Sequence, residues 1–324
     1  MDLRKEVAKA MPQVPEEKVF SNDYPFYFRD YTDNLVCPMG EQALHAYGTG
    51  SGNEIQPKVR MLTDGTTVTT PAKMASIASS SAMTFNLLGN DPAVVNSNLW
   101  LPMGTYQVQY EKQMHTLDMR SNPANLDAFL SDEEGKIAIF CEMKLLEWLN
   151  KPGNLKENYL REENYFASDD SMVNASVDAY DVFRDVIADI RKTPFTRYDV
   201  WQMFKHLLAI YNYTSFTTKK AVNLFHSFPS MAGKYDRIIL ANVVNEFPPE
   251  RITDGNVQVK YLAALQQEQD EAIRFIGIVS RSGIPQLFFN NCNARIEVKY
   301  MSAKTFADCL KMTDARREYL KRYF

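Results

Sequence analysis

Three ionisable residues are spaced so that they could carry out chemistry together: Asp127, Glu142 and Lys144. Glu142 and Lys144 end the apolar run KIAIFC, and residues two apart in a strand point to the same face. Asp127 lies on the preceding candidate strand, and a hairpin through the polar loop SDEEGK would bring it beside Glu142. Charges at the end of a buried strand are costly unless something pairs them. The pattern therefore predicts two carboxylates and one ammonium at one sheet edge.

This combination suits a divalent cation. Mg²⁺ prefers oxygen ligands and retains several waters. Asp127, Glu142 and the backbone carbonyl of Met143 would therefore be enough protein ligands for it. Such a cation, Mg²⁺ or Mn²⁺ in its place, polarises a phosphoryl oxygen and lowers the pKa of a bound water. Lys144 could then stabilise the developing charge or orient the water. The alternative is a surface Asp127 and a Glu142–Lys144 ion pair that contributes less than about 1 kcal/mol.

Hydrophobic periodicity predicts the elements that position these residues. Strict alternation in TYQVQYE predicts a strand over about 105–111. Strands are also predicted over about 124–130 and 137–144, and helices over about 72–88 and 198–212. Three later segments have strand-like apolar patterns: RIILANVVNEF, IRFIGIVSRSG and ARIEVKYMS. The expected fold class is α/β, an α+β arrangement with a central mixed sheet flanked by helices.

The chain is expected to form a single domain over residues 1–324. Within it we expect an irregular N-terminal wrap over 1–70 and a core over about 72–300. The core would carry a helical insertion over 150–197, and a basic amphipathic helix would cover 303–324.

Composition excludes several classes of protein. There are 36 Lys and Arg against 40 Asp and Glu, a net charge of −4, which excludes coating of nucleic acid by bulk attraction but permits a local basic groove. The four cysteines and four histidines lack the spacing of a zinc site. No apolar run approaches the roughly 18 residues of a membrane span, and the N-terminus lacks a secretion signal, so a cytoplasmic location is expected.

The segments LDAFL and IAIFCEMKLLEW resemble the catalytic core of the PD-(D/E)XK nuclease superfamily, whose fold is that of type II restriction endonucleases. The resemblance implies that Asp127 is the first acid, Glu142 the second and Lys144 the lysine. It also implies a Mg²⁺-dependent hydrolase that cuts phosphodiester bonds, leaving a 5′-phosphate and a 3′-hydroxyl. Leu126 stands where many members have a proline.

Over about residues 76–215 the chain resembles a branch of uncharacterised restriction endonuclease-like proteins. By that pattern Glu111 is an auxiliary acid near the metal, and Glu147 supports the site one turn beyond Lys144. Gln202 and Lys205 would face the site or the nucleic-acid backbone. Two alternatives remain: Glu111 continues the solvated stripe of Gln107 and Gln109, and Gln202 and Lys205 lie on a solvated helix face.

The expected partner is nucleic acid, DNA in the first instance, and cutting both strands of a duplex often calls for a homodimer. Ser80, Ser81 and Asn86 either contact phosphate or permit close helix packing. The rival function is a non-catalytic module of the same fold that binds nucleic acid or protein, which the acidic net charge favours.

Overall fold

The computed structural model describes residues 2–49, 53–97, 99–117, 123–165, 173–215 and 233–324. A two-stranded ribbon, β1 and β2, stands apart from a six-stranded sheet in the order β3-β4-β5-β6-β7-β8. Pairing is antiparallel from β3 to β6 and parallel from β6 to β8. The strands are β1 Lys58–Met61, β2 Thr67–Thr70, β3 Ala93–Val95, β4 Gly104–Met114, β5 Ala124–Asp132, β6 Ile137–Lys144, β7 Arg237–Val244 and β8 Arg295–Ser302.

Helices cover both faces of the large sheet, so the expected α+β class is confirmed. They are α1 Leu3–Ala8, α2 Glu41–Thr49, α3 Ser80–Leu88, α4 Val173–Lys192, α5 Val200–Thr214, α6 Gly255–Arg281, α7 Ile284–Cys292, α8 Ala303–Cys309 and α9 Asp314–Leu320. One apolar core includes residues of α2, α3 and α8, and the other includes residues of α4, α5 and α7. Within the ranges given above, no helix has the length and apolar character that a membrane crossing requires.

Strand β6 lies between the two cores, which explains its unbroken apolar run. Ile139 and Cys141 pack in the core that contains α3, and Ala138 and Phe140 pack in the core that contains α5. A strand buried on both faces has no polar positions until it reaches the sheet edge. The predicted strands over 137–144, RIILANVVNEF and ARIEVKYMS are confirmed.

The two flanking helices are confirmed with shifted ends. The predicted helix over 72–88 begins only at Ser80, because the Ser79 side chain caps it by accepting a hydrogen bond from the Ala82 N–H at 3.1 Å. Residues 73–75 form a separate 3₁₀ turn. The helix predicted over 198–212 is Val200–Thr214, and the Asp199 side chain caps it.

The segment IRFIGIVSRSG is not a strand, so that prediction is wrong. Its residues 273–281 form the end of α6, a 27-residue helix. Phe275, Ile278 and Val279 are buried, whereas Ile273 is 65% exposed, which is helical and not alternating spacing. A short apolar run does not distinguish a buried strand from a segment of a long buried helix.

The two ends of the chain also differ from expectation. The predicted single helix over 303–324 is two helices, α8 and α9, because the chain is extended at Leu310 and Thr313 caps the second helix. The N-terminal segment contains α1, α2 and the β1–β2 ribbon, so it is not irregular throughout. Its side chains Val7 and Tyr47 are fully buried against the body.

Candidate active site

Glu111, Asp127 and Glu142 form one row across three neighbouring strands. In the β4–β5 pairing, the partners on either side place Glu111 opposite Asp127. In the β5–β6 pairing, which begins at Ala128 and Cys141, the next position places Asp127 opposite Glu142. Strand register therefore gathers three carboxyl groups that are far apart in the sequence.

Strands β4 and β5 exchange faces at this row. Tyr110 and Ala128 pack in the core that contains α3, whereas Met114 and Leu126 pack in the core that contains α5. A strand that alternated regularly would keep residues two or four apart on one face. Glu111 breaks the alternation, because its φ of 51° is in the left-handed region that side chains other than glycine rarely adopt.

Glu111 is buried, so its placement on a solvated stripe is wrong. Gln107 and Gln109 are exposed, but the Glu111 side chain turns inward and accepts a hydrogen bond from Asn125 Nδ2. Burial raises the pKa of Glu111 to about 7, although the Asn125 hydrogen bond opposes the shift and the charge of Glu54 adds to it. Glu111 is thus a carboxyl group that titrates near neutral pH.

Asp127 is half-buried, and its side chain accepts a hydrogen bond from the backbone of the neighbouring strand β6. Its Oδ2 accepts a hydrogen bond from the Met143 N–H at 2.6 Å, just beyond the first β5–β6 pair. Burial raises the pKa of Asp127 well above its ordinary range, and the charges of Glu142 and Glu111 raise it further. The surrounding protein therefore compensates the ionised form of Asp127 poorly.

Glu142 is almost fully buried and is surrounded by donors. Its Oε1 lies 2.7 Å from Lys144 Nζ and accepts a hydrogen bond from Gln202 Nε2 at 2.7 Å. Gln202 Oε1 in turn accepts from Lys144 Nζ at 2.7 Å, which closes a three-residue ring. On the other side, Glu142 Oε2 lies 2.8 Å from His206 Nε2.

This ring sets the charge states of its members. Burial opposes ionisation of Glu142, but the charges of Lys144 and His206 outweigh it and lower the pKa of Glu142 to about 2. Burial likewise disfavours the Lys144 ammonium, but the charge and hydrogen bond of Glu142 outweigh the effect of burial and raise the pKa of Lys144. Lys144 is consequently held as a cation in a fixed position.

Helix α5 supplies the far side of the ring. The Asp199 side chain accepts from the Gln202 N–H at 3.1 Å and fixes the start of the helix. Gln202 and His206 are four residues apart, so both project toward β6. The resemblance implied that Gln202 faces the site or the nucleic-acid backbone, but it did not point to His206. The available signal was the position of His206 one turn after Gln202.

Glu147 binds the turn that follows β6. Its Oε2 accepts hydrogen bonds from the Leu145 N–H at 2.7 Å and the Leu146 N–H at 3.0 Å. The Glu147 charge also contributes to the raised pKa of Lys144. Glu147 therefore fixes the turn that follows Lys144, and its supporting role at a metal site stays a prediction.

The row borders an open cleft of about 720 Å³. Ser80 and Ser81 line this cleft at the start of α3, and Ser81 Oγ donates to Glu54 Oε2 at 3.3 Å. Lys205 instead lines a neighbouring cleft of about 470 Å³, together with His206. The candidate nucleic-acid contacts Ser80, Ser81 and Lys205 thus lie on two adjoining clefts.

Asn86 has a structural role, so its prediction as a nucleic-acid contact is wrong. It is fully buried, and its Nδ2 donates to Asn34 O at 3.0 Å and to the Tyr323 hydroxyl at 2.9 Å. Its Oδ1 accepts from the Val36 N–H at 2.7 Å. Asn86 faces inward on α3 and connects the segment around Asn34 with the C-terminal Tyr323.

The chemistry of the donors fits a divalent cation. Glu111, Asp127, Glu142 and the Met143 carbonyl offer only oxygen ligands, and a cation would compensate the ionised form of Asp127, which burial and the neighbouring acids disfavour. Among the residues that the structure describes, no group of three or more His, Cys, Asp and Glu side chains is arranged to hold a metal ion. Glu142 already contacts Lys144, Gln202 and His206.

Comparisons of the chain with protein-family models, with curated proteins and with solved structures each found no match.

Proposed function

We propose that this protein is a Mg²⁺-dependent nuclease that hydrolyses phosphodiester bonds of DNA. The observation that carries the proposal is the row of Glu111, Asp127 and Glu142 across three adjacent strands, with Lys144 beside it at the edge of an open cleft. The resemblance to PD-(D/E)XK nucleases supports it, since the segments that carry it are α3, β4, β5, β6 and α5, and these border one cleft.

Lys144 acts as a cation in this proposal. Its ammonium is fixed by Glu142 Oε1 and Gln202 Oε1, both at 2.7 Å, and its pKa is raised. A lysine in that state donates hydrogen bonds and does not accept a proton. It would orient the attacking water or stabilise the negative charge that develops on the phosphoryl oxygens, without reorganisation during the reaction.

Asp127, Glu142, the Met143 carbonyl and Glu111 are the groups that would hold Mg²⁺, or Mn²⁺ in its place. When bound, the ion would polarise a phosphoryl oxygen and lower the pKa of a coordinated water. Asp127 already accepts from the Met143 N–H, which fixes one of its oxygens, and the residue lines the cleft. Gln202 and His206 would hold Glu142 in orientation.

The test compares the wild type with Asp127→Asn on supercoiled, linear and single-stranded DNA, in Mg²⁺, Mn²⁺ or EDTA. We expect metal-dependent cutting that the variant loses by at least about 100-fold. Glu133→Gln is the matched control, because Glu133 is an exposed acid in the β5–β6 turn and its removal also deletes one charge. Equal cutting by Asp127→Asn and the wild type would contradict the proposal.

A non-catalytic module is the second candidate, and one observation favours it. Glu142 is saturated by Lys144, Gln202 and His206, as it would be in a purely structural network. The two functions differ in their response to metal. A catalytic site should gain thermal stability in Mg²⁺ or Mn²⁺, and Asp127→Asn should remove that gain. A pure binding module would show DNA binding without cutting and without metal-dependent stabilisation.

A further inference from the structure

We propose that the β1–β2 ribbon is an arm that grips double-stranded DNA beside the candidate active site. Its inward face would contact the phosphate backbone through Lys58 and Arg60. This inference rests on the proposed function for its choice of partner, but it concerns a surface outside the catalytic row.

Strand register assigns the residues of the ribbon to two faces. Lys58 pairs with Thr70, and Arg60 pairs with Val68. Residues directly opposite in an antiparallel pair share a face, as do residues two apart, so these four lie together. Lys58 and Thr70 line the same cleft as Asp127 and Glu142. This face is therefore turned toward the catalytic row.

The opposite face of the ribbon is open to solvent. Val59 is 69% exposed and Met61 is 74% exposed. A two-stranded ribbon is only marginally stable by itself, and exposed apolar side chains on it add nothing to that stability. The ribbon therefore contributes little to the packing of the body. Its width is also suitable, since the major groove of DNA admits a two-stranded ribbon.

Charge selects a polyanionic partner. Lys73, which lines the same cleft, is already paired with Glu54 at 2.6 Å. Lys58 and Arg60 are exposed and have no ion-pair partner in the described part of the chain. A protein with a net charge of −4 and a carboxylate-lined cleft would repel phosphate unless cations on the rim compensated. The inward face of the ribbon supplies such cations.

The test measures binding of a fluorescent DNA duplex over a range of salt concentrations in EDTA, where cleavage is prevented. For Lys58→Gln/Arg60→Gln we expect affinity to fall by about 10-fold or more, with a shallower salt dependence, because two phosphate contacts are lost. Lys58→Arg/Arg60→Lys keeps both charges and should bind like the wild type.

The matched control is Lys136→Gln/Arg295→Gln. Both residues are exposed, and they lie at the end of the sheet opposite Glu142 and Lys144. Its affinity should equal that of the wild type. The proposal would be overturned if both double variants lost affinity equally, if the ribbon variant lost none, or if the wild type did not bind duplex. Ribbon-dependent binding only to single strands or RNA would also overturn it.

The two proposals fail separately. If the wild type binds duplex through the ribbon but cuts nothing in Mg²⁺ or Mn²⁺, the arm stands and the nuclease proposal is wrong. If the wild type cuts DNA and the ribbon variant binds and cuts equally well, the nuclease stands and the arm is wrong.

Discussion

Asp127 and Glu142 are opposite each other in the same row, yet their environments push their pKa values apart. Glu142 is ionised, since Lys144 and His206 overcome the burial and lower its pKa to about 2. Asp127 accepts one backbone hydrogen bond and lies near two other acids, so its pKa is well above its ordinary range. Neighbouring carboxyl groups with divergent pKa values are typical of sites that bind a cation or move a proton.

The first residue-scale prediction concerns Asp127 in metal-free buffer. Asp127→Asn should raise the free energy of unfolding at pH 7, since burial and the charges of Glu142 and Glu111 penalise the ionised carboxylate in the folded state. The variant removes a poorly compensated carboxylate but keeps an oxygen that can accept from the Met143 N–H. Urea unfolding in EDTA measures the change. Glu133→Gln should leave stability unchanged, and a less stable Asp127→Asn would contradict the argument.

The second residue-scale prediction concerns the Lys144–Glu142 pair, whose nitrogen and oxygen lie 2.7 Å apart. Lys144→Ala leaves a buried carboxylate without its main cation, which typically costs about 3–5 kcal/mol. Adding Glu142→Gln removes the unpaired charge, so the double variant should be more stable than Lys144→Ala. Urea unfolding of both single variants and the double variant gives the coupling energy. Strictly additive effects would show that the pair is not a stabilising contact.

At the scale of elements, strands β4 to β8 could be predicted, whereas β1 to β3 were missed and the site residues could be predicted only in part. Strand β6 was predictable because a doubly buried strand has an unbroken apolar run that ends where its charges begin. The burial of Glu111 was not predictable, because it depends on a single left-handed φ angle that the residue pattern does not indicate. His206 was missed because its contact with Glu142 requires α5 to lie across β6 at one register, which is a tertiary property.

Helix α6 illustrates the same limit in the fold. Its segment IRFIGIVSRSG has strand-like composition, yet 27 residues of continuous helix begin far upstream, where Asp254 accepts from the N–H groups of Asn256 and Val257. The cap is a local signal, whereas the conformation of residues 273–281, helix or strand, depends on what α6 packs against. Its apolar side chains Ala272, Phe275 and Val279 join the core that contains α5.

At the scale of the whole molecule, buried acids make metal-free stability depend on pH in an unusual direction. Burial raises the pKa of Glu268 to about 8, with Glu271 adding to the shift and Lys144 opposing it. Glu268 Oε2 has no hydrogen-bond partner among the described groups. Glu271 differs, because its pKa is lowered: burial opposes ionisation, but its carboxylate accepts from the N–H groups of Arg197, Thr196 and Tyr198.

A carboxyl group whose pKa is raised in the folded state is stabilising while protonated and loses that contribution as the pH rises. For Glu268 the loss begins near its ordinary value of 4.5 and is complete near 8, and Glu111 behaves alike up to about 7. Glu142 acts oppositely: its contribution is present above about 4.5 and is lost as the pH falls toward 2. Stability without metal should therefore peak near pH 5 and decline toward pH 8.

Urea unfolding from pH 3 to 9 in EDTA measures this profile. In Glu268→Gln the decline should be shallower by a few kcal/mol at most, whereas the exposed control Glu250→Gln should follow the wild type. A wild-type profile that rises from pH 5 to 8 would show that these acids are ionised and compensated in the folded protein.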